Sequence, residues 1–185
     1  MPDVSWVLLS YRLPREPSRL RLAIWRRLKR LGATLLHDAV WLLPADAKTR
    51  EAFEWLAEEI EEQGGTAFLW DASSLGALQD QTIAGQFRAE ADERYAAIAE
   101  SAQGLRRLAG RRRSTRRGRL DQARRQLAGL ERALRLEARR DYFRAPGRRR
   151  AEEAVQAAIR ALPESPNEAL SARPRAGARA HAVGH

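Results

Sequence analysis

Arg106, Arg107, Arg111, Arg112, Arg113, Arg116, Arg117, Arg119, Arg124 and Arg125 crowd into one stretch of the chain, and Arg148, Arg149 and Arg150 follow it. A guanidinium keeps its charge at every relevant pH and offers a planar fork of donors that matches phosphate oxygens. Each one that reaches a phosphate releases a counterion, so this run is chemistry for holding a polyanion. It supplies affinity for a backbone. Reading bases needs side chains fixed against groove edges, and the sequence names no helix for that. A like-charge block is also what a solvated loop looks like, and at this stage both readings stand.

Other chemistries are thinly represented. The chain has no cysteine, which removes disulfides, thiolate metal sites and thiol redox chemistry. Of its three histidines, His181 and His185 sit in a tail without a supporting carboxylate, and His37 lies beside Asp38 in what reads as a turn. Glu58, Glu59, Glu61 and Glu62 read as one solvated helix face. No phosphate loop, dinucleotide fingerprint, nucleophile elbow or zinc-protease signature occurs, so no catalytic residue, metal or cofactor is expected. Trp6, Trp25, Trp41, Trp55 and Trp70 all fall within apolar runs and are expected to pack in the core rather than stack on bases.

The whole composition agrees with a binding role. The 185 residues carry 34 Lys and Arg against 24 Asp and Glu, a formal charge of +10, which favours an acidic partner such as DNA. A GC-rich coding sequence would account for the choice of Arg, Ala and Leu, but not for the positive balance. Val4 to Leu9 is too short for a signal core or a membrane span, so no membrane association and a cytoplasmic location are expected.

The elements that position the arginines follow from the apolar pattern. Val4 to Leu13 is apolar on both faces and reads as a buried central strand. Ser18 is placed to cap a helix with Leu20, Ile24, Leu28 and Leu31 at helical spacing, stopped by Gly32. Thr34 to Leu43 reads as one bent strand or a hairpin turned near His37 and Asp38. Asp46 caps a second helix with Phe53, Leu56 and Ile60 inside, ended by Gly64 and Gly65, and Thr66 to Trp70 is a further strand with a loop from Asp71. This β-α-β-(β)-α-β order predicts an α+β fold: a ferredoxin-like βαββαβ-type domain over residues 3–76. Beyond it, Ile83, Phe87, Ala91, Tyr95, Ile98, Ala102, Leu105 and Leu108 form the seam of a long helix. Leu120, Ala123, Leu127, Leu130, Leu134 and Ala138 form the seam of a second, paired with the first as an antiparallel hairpin. A short helix from Ala151 to Leu162 completes a helical region over 79–162, and 163–185 reads as a disordered tail.

Residues 6–33, residues 40–60, the Gly64-Gly65 turn and the stretch RDYFRAPGRRRAEEAV at 140–155 together resemble the N-terminal domain of the ChrB family of chromate resistance regulators. That resemblance implies a DNA-binding transcription regulator of a chromate efflux operon that responds to the oxyanion. The family commonly carries a second, larger C-terminal domain, whereas residues 163–185 here read as a low-complexity tail. For chromate, a tetrahedral dianion, Ser114 and Thr115 between arginine pairs are the pointer in this sequence. The opening is also similar to small CRISPR-associated ferredoxin-like subunits and to the middle domain of PaaX-type repressors, which often dimerise through the sheet, so a homodimer is a further expectation. Where the CRISPR-associated subunits carry a metal-binding acidic residue, this chain has Ser10, Tyr11, Arg12 and Leu13, and nuclease activity is not expected. A competing reading is a protein-interaction module whose helical seams bind a partner chain without nucleic acid.

Overall fold

A computed structural model of the chain describes residues 4–15, 18–110 and 117–162. The first half contains β1 (Ser5–Arg12), α1 (Ser18–Leu31), β2 (Thr34–His37), β3 (Val40–Pro44), α2 (Ala47–Glu62) and β4 (Thr66–Ser73). The strands form one antiparallel sheet in the order β2-β3-β1-β4, so the fold is α+β with the ferredoxin-like order. β1 lies between β3 and β4, and Leu9 is aligned with Trp41 on one side and Leu69 on the other. This central position explains why β1 is apolar on both faces.

Local signals set the ends of these elements. Gly32 takes a positive φ of 78°, and Ala33 N–H donates to the Leu28 carbonyl at 3.0 Å, closing α1 with a Schellman turn. At the start of α2, Asp46 Oδ1 accepts from Thr49 N–H at 2.7 Å while Thr49 Oγ1 accepts from Asp46 N–H at 2.9 Å. This reciprocal pair satisfies two otherwise orphaned amides. At its end, a Cβ on Gly65 would stand 2.7 Å from the Arg12 carbonyl oxygen, so only glycine lets α2 return this close to β1. The Thr34–Leu43 region is a hairpin, with Asp38 at a φ of 42° in its turn. The expected cap at Ser18 involves a side chain outside the described set.

One strand is longer than its composition suggests. The sequence places a loop from Asp71, whereas β4 runs to Ser73 and keeps register with β1 down to Ser5↔Ser73. An eight-residue central strand offers ladder partners to its whole length, and these hold Asp71, Ala72 and Ser73 extended despite their weak strand preference.

The second half contains α3 (Ala77–Gly110), α4 (Arg117–Arg140) and α5 (Arg148–Ala161). The seam of α3 serves two cores. Ile83 and Phe87 are buried with the sheet residues, whereas Ala91, Tyr95, Ile98, Ala102 and Leu105 are buried with α4 and α5. The short α5 packs along α3 more extensively than α4 does, through Ala151, Val155 and Ala158. Small residues there let the backbones come close. The seam stops one turn early, since Leu108 is 61% exposed.

The segment joining α4 to α5 fastens the helices to the sheet. Trp6 of β1 stacks on Phe87 with centroids 5.9 Å apart and meets Phe143 at 5.8 Å, and Tyr142 stands edge-on to Phe87. Tyr142 Oη donates to the Leu31 carbonyl at 2.9 Å. Asp141 accepts from Ala145 N–H, and Asp92 of α3 accepts from Gly147 N–H at 2.7 Å, which sets the entry of α5. Beneath this joint Glu137 is 1% exposed and accepts from Arg94 Nε at 2.8 Å and Arg140 Nε at 2.7 Å. Arg140 also donates to the Lys29 carbonyl at the end of α1. The sequence assigned this seam position to Ala138; Glu137 takes it instead, because two guanidiniums neutralise and hydrogen-bond the buried carboxylate.

Candidate polyanion interface

The arginines singled out in the sequence fall into three groups. Arg106 and Arg107 are exposed on the last turns of α3, and Arg125 is exposed on α4. Arg124 is less exposed and pairs with Asp121 at 3.6 Å. Arg111, Arg112, Arg113, Ser114, Thr115 and Arg116 lie outside the described residues. Arg117 and Arg119 lie in the first turn of α4, and their side chains are likewise outside the described set. α3 ends and α4 begins on either side of this segment, so the described members flank one end of the helical pair.

α4 carries a row of charge that the sequence reading did not isolate. Its inward seam repeats at Leu120, Ala123, Leu127, Leu130, Leu134 and Glu137, a heptad pattern of a and d positions. In that frame Arg125, Arg132 and Arg139 each take the position farthest from the seam. All three are exposed, as is their neighbour Arg135, and none has an ion pair with another described residue. Seven residues of helix rise about 10.5 Å, so the row presents one guanidinium per two turns over about 21 Å. The signal was present in the sequence as a seven-residue arginine spacing. It is masked there because Arg124, Arg140 and the neighbouring run share the same composition.

Other basic side chains are distributed more widely. Arg106 and Arg150 line one shallow groove between α3 and α5 with Gln103 and Glu153. Arg148 and Arg149 are paired along α5 with Glu152 and Glu153, which leaves Arg150 as the exposed member of that triplet with no described ion pair. On α1, Arg19, Arg21, Arg26 and Arg30 are exposed, while Arg27 pairs with Glu59 of α2 and Lys29 bonds Glu90 at 2.9 Å. Lys29 therefore belongs to the joint with α3, not to the outer face. Among the described residues, Arg27 to Glu59 is the ion pair that joins the basic face of α1 to the acidic face of α2.

The tryptophans correct the sequence reading. Trp6 and Trp41 are buried, but Trp25 is 47%, Trp55 66% and Trp70 58% exposed. Apolar runs on amphipathic elements include residues at the edge of the apolar face, and a large ring there is covered only in part. Trp55 lines a groove between α1 and α2 with Arg27, Arg30 and Leu56. His37 is the exposed last residue of β2, paired with Val40 beside the turn, and no group of three potential metal ligands occurs among the described residues. No described helix is long and apolar enough to cross a membrane.

A family described as "Protein ChrB, N-terminal" matches residues 21–173, most of the chain. The chain belongs to the ChrB N-terminal family. A curated relative, "Protein ChrB" of Cupriavidus metallidurans (strain ATCC 43123 / DSM 2839 / NBRC 102507 / CH34), is 35% identical over 88 residues, covering 48% of this chain and 26% of the relative. The chain thus spans about a quarter of the length of that relative within the match. No solved structure matches. The family match takes in α1 from residue 21 onward, the Tyr142-Phe143 joint and the arginine row of α4, so the row lies in the family's own region.

Proposed function

We propose that this chain is a DNA-binding regulator of chromate resistance, or the N-terminal portion of one, that grips the nucleic-acid backbone with the arginines of its helical region. It acts by binding and not by catalysis, inside the cell, without a resident cofactor. The observation that carries this reading is the row Arg125, Arg132 and Arg139, exposed and unneutralised by described carboxylates on a rigid helix. A fixed row matches a polyanion at lower entropic cost than a mobile loop would, and Arg106, Arg107 and Arg150 extend it around α3 and α5. Chromate resistance comes from the family relationship. An oxyanion response through Ser114 and Thr115 belongs to the same proposal.

The alternative of a pure interaction module rested on free helical seams. Most of those seams pack against one another in α3, α4 and α5, up to Leu105 on α3, which favours the nucleic-acid reading over it. Mobility shift of the DNA upstream of its own gene, over a salt series with and without chromate, tests the proposal. Retardation that weakens steeply with salt and changes with chromate supports it. Absence of retardation at low salt, or retardation indifferent to both salt and sequence, contradicts it.

A further inference from the structure

Among the described residues, β4 forms one edge of the sheet and pairs only with β1, so its outer N–H and C=O groups have no ladder partner there. Natural edge strands are usually protected by a proline, a bulge, a lysine or a charge on the strand face. β4 has none of these on one face. Alternation sends Thr66, Phe68, Trp70 and Ala72 to the side that carries Trp6 of β1, and none of the four is charged. The strand's single charge, Asp71, points the other way and is paired with Arg50 of α2. Phe68 is 60% and Trp70 58% exposed, and Leu75, just past the strand, is 104% exposed.

An uncharged face in a chain of net charge +10 does not suit a polyanion, and an open edge requires a strand as its complement. The sequence of β4 identifies that strand. With a two-fold axis at Leu69, antiparallel pairing of two copies sets Phe68 of each opposite Trp70 of the other, and Thr66 opposite Ala72. It also sets Asp71 opposite Ala67, so no like charges face each other. Continued past the strand, the same register sets Ser74 of one copy opposite Gly64 of the other, with Leu75 next to it opposite Gln63. There a groove lined by Arg12, Leu13, Pro14, Arg15, Gly64, Gly65 and Thr66 is open. A bare leucine and an open groove that contains Leu13 and Pro14 are thus brought near each other by one symmetry operation.

We infer that two copies of this chain pair edge to edge through β4, joining their sheets into one of eight strands, with Phe68 and Trp70 as cross-strand aromatic pairs. Rings of this size bury 150–250 Å² when fully covered, so four half-exposed ones contribute roughly 500 Å², below a standard interface of about 1,600 Å². The dimer is therefore weak and reversible, dissociating in roughly the micromolar range.

Sedimentation of the full chain over a concentration series reads this directly. The wild type is expected to shift from monomer to dimer with rising concentration, and the Phe68→Lys/Trp70→Lys double variant to need at least about tenfold more protein for the same shift. Circular dichroism serves as the folding control, because both side chains are exposed. Since the chain has no cysteine, Leu69→Cys supplies a second readout: mild oxidation is expected to give a disulfide-linked dimer, and the same change at Ala123 on α4 is not. A wild type that stays monomeric near about 100 μM, or a dimer indifferent to the two lysines, overturns the inference. Neither experiment contains DNA, so its outcome is independent of the nucleic-acid proposal.

Discussion

Glu137 shows how much one side chain decides in this molecule. It is a carboxylate held at 1% exposure by Arg94 from α3 and Arg140 from its own helix. Removing one partner of a buried ion pair leaves uncompensated charge and costs about 3–5 kcal/mol. Glu137→Ala is therefore expected to lower stability by about 3 kcal/mol in urea denaturation, with Glu137→Gln losing less; a change under about 1 kcal/mol would show that the pair is dispensable. Periodicity could not find this residue, because Arg94 is 43 positions away and the local pattern favoured Ala138. Tyr142 carries a second test at this scale. Burial first, then the nearby negative charge of Asp46, push its phenol from 10.0 up to about 12, against an opposing pull from Arg140. The native state then keeps its proton where the unfolded chain loses it. This contribution is complete below about pH 10 and is lost as the pH rises toward about 12. Melting temperatures measured from pH 8 to 11.5 should fall on the alkaline side, and the fall should be shallower in Tyr142→Phe. An equal fall in the variant would assign the limb to other groups, Tyr95 first, whose phenol burial also raises.

At the scale of elements, α2 offers the cleanest measurement, since its capping box depends on one side chain. Asp46→Ala removes the acceptor for Thr49 N–H and is expected to cost about 1 kcal/mol of stability, read from the denaturation midpoint at unchanged slope. Signals of this local kind were legible in the sequence: the Asp46 cap, the Gly32 and Gly64 stops, the turn at Asp38, and the seams of α3 and α5. They are legible because each rests on contacts a few residues apart. What escaped reading was set by distant partners. β4 reaches Ser73 because β1 offers it a ladder, and Trp25, Trp55 and Trp70 are exposed because no described element covers the edge of each apolar face. Tyr142 and Phe143, noted in the sequence only within a family resemblance, prove to be the joint that seats against Phe87 and Trp6.

For the whole molecule, the physical division is between a joined framework and a charged exterior. The two cores share α3, with Ile83 and Phe87 in one and Ala91 through Leu105 in the other, so the helical region has a fixed setting on the sheet. That setting gives the arginines of α4 a definite direction, which a basic composition alone would not. Within the run read from the sequence, Arg106, Arg107 and Arg125 stand exposed, while Arg111, Arg112, Arg113 and Arg116 lie outside the described residues. The row along α4 is therefore the surface to test. The decisive measurement is binding of a labelled DNA duplex by fluorescence anisotropy across a salt series, comparing the wild type with an Arg125→Gln/Arg132→Gln/Arg139→Gln variant. Each lost phosphate contact lowers the log–log salt slope by about 0.9, so a slope shallower by about 2 to 3 with weaker binding at low salt is expected. Equal slopes and equal affinities in the two proteins would contradict the claim that this row holds the nucleic acid.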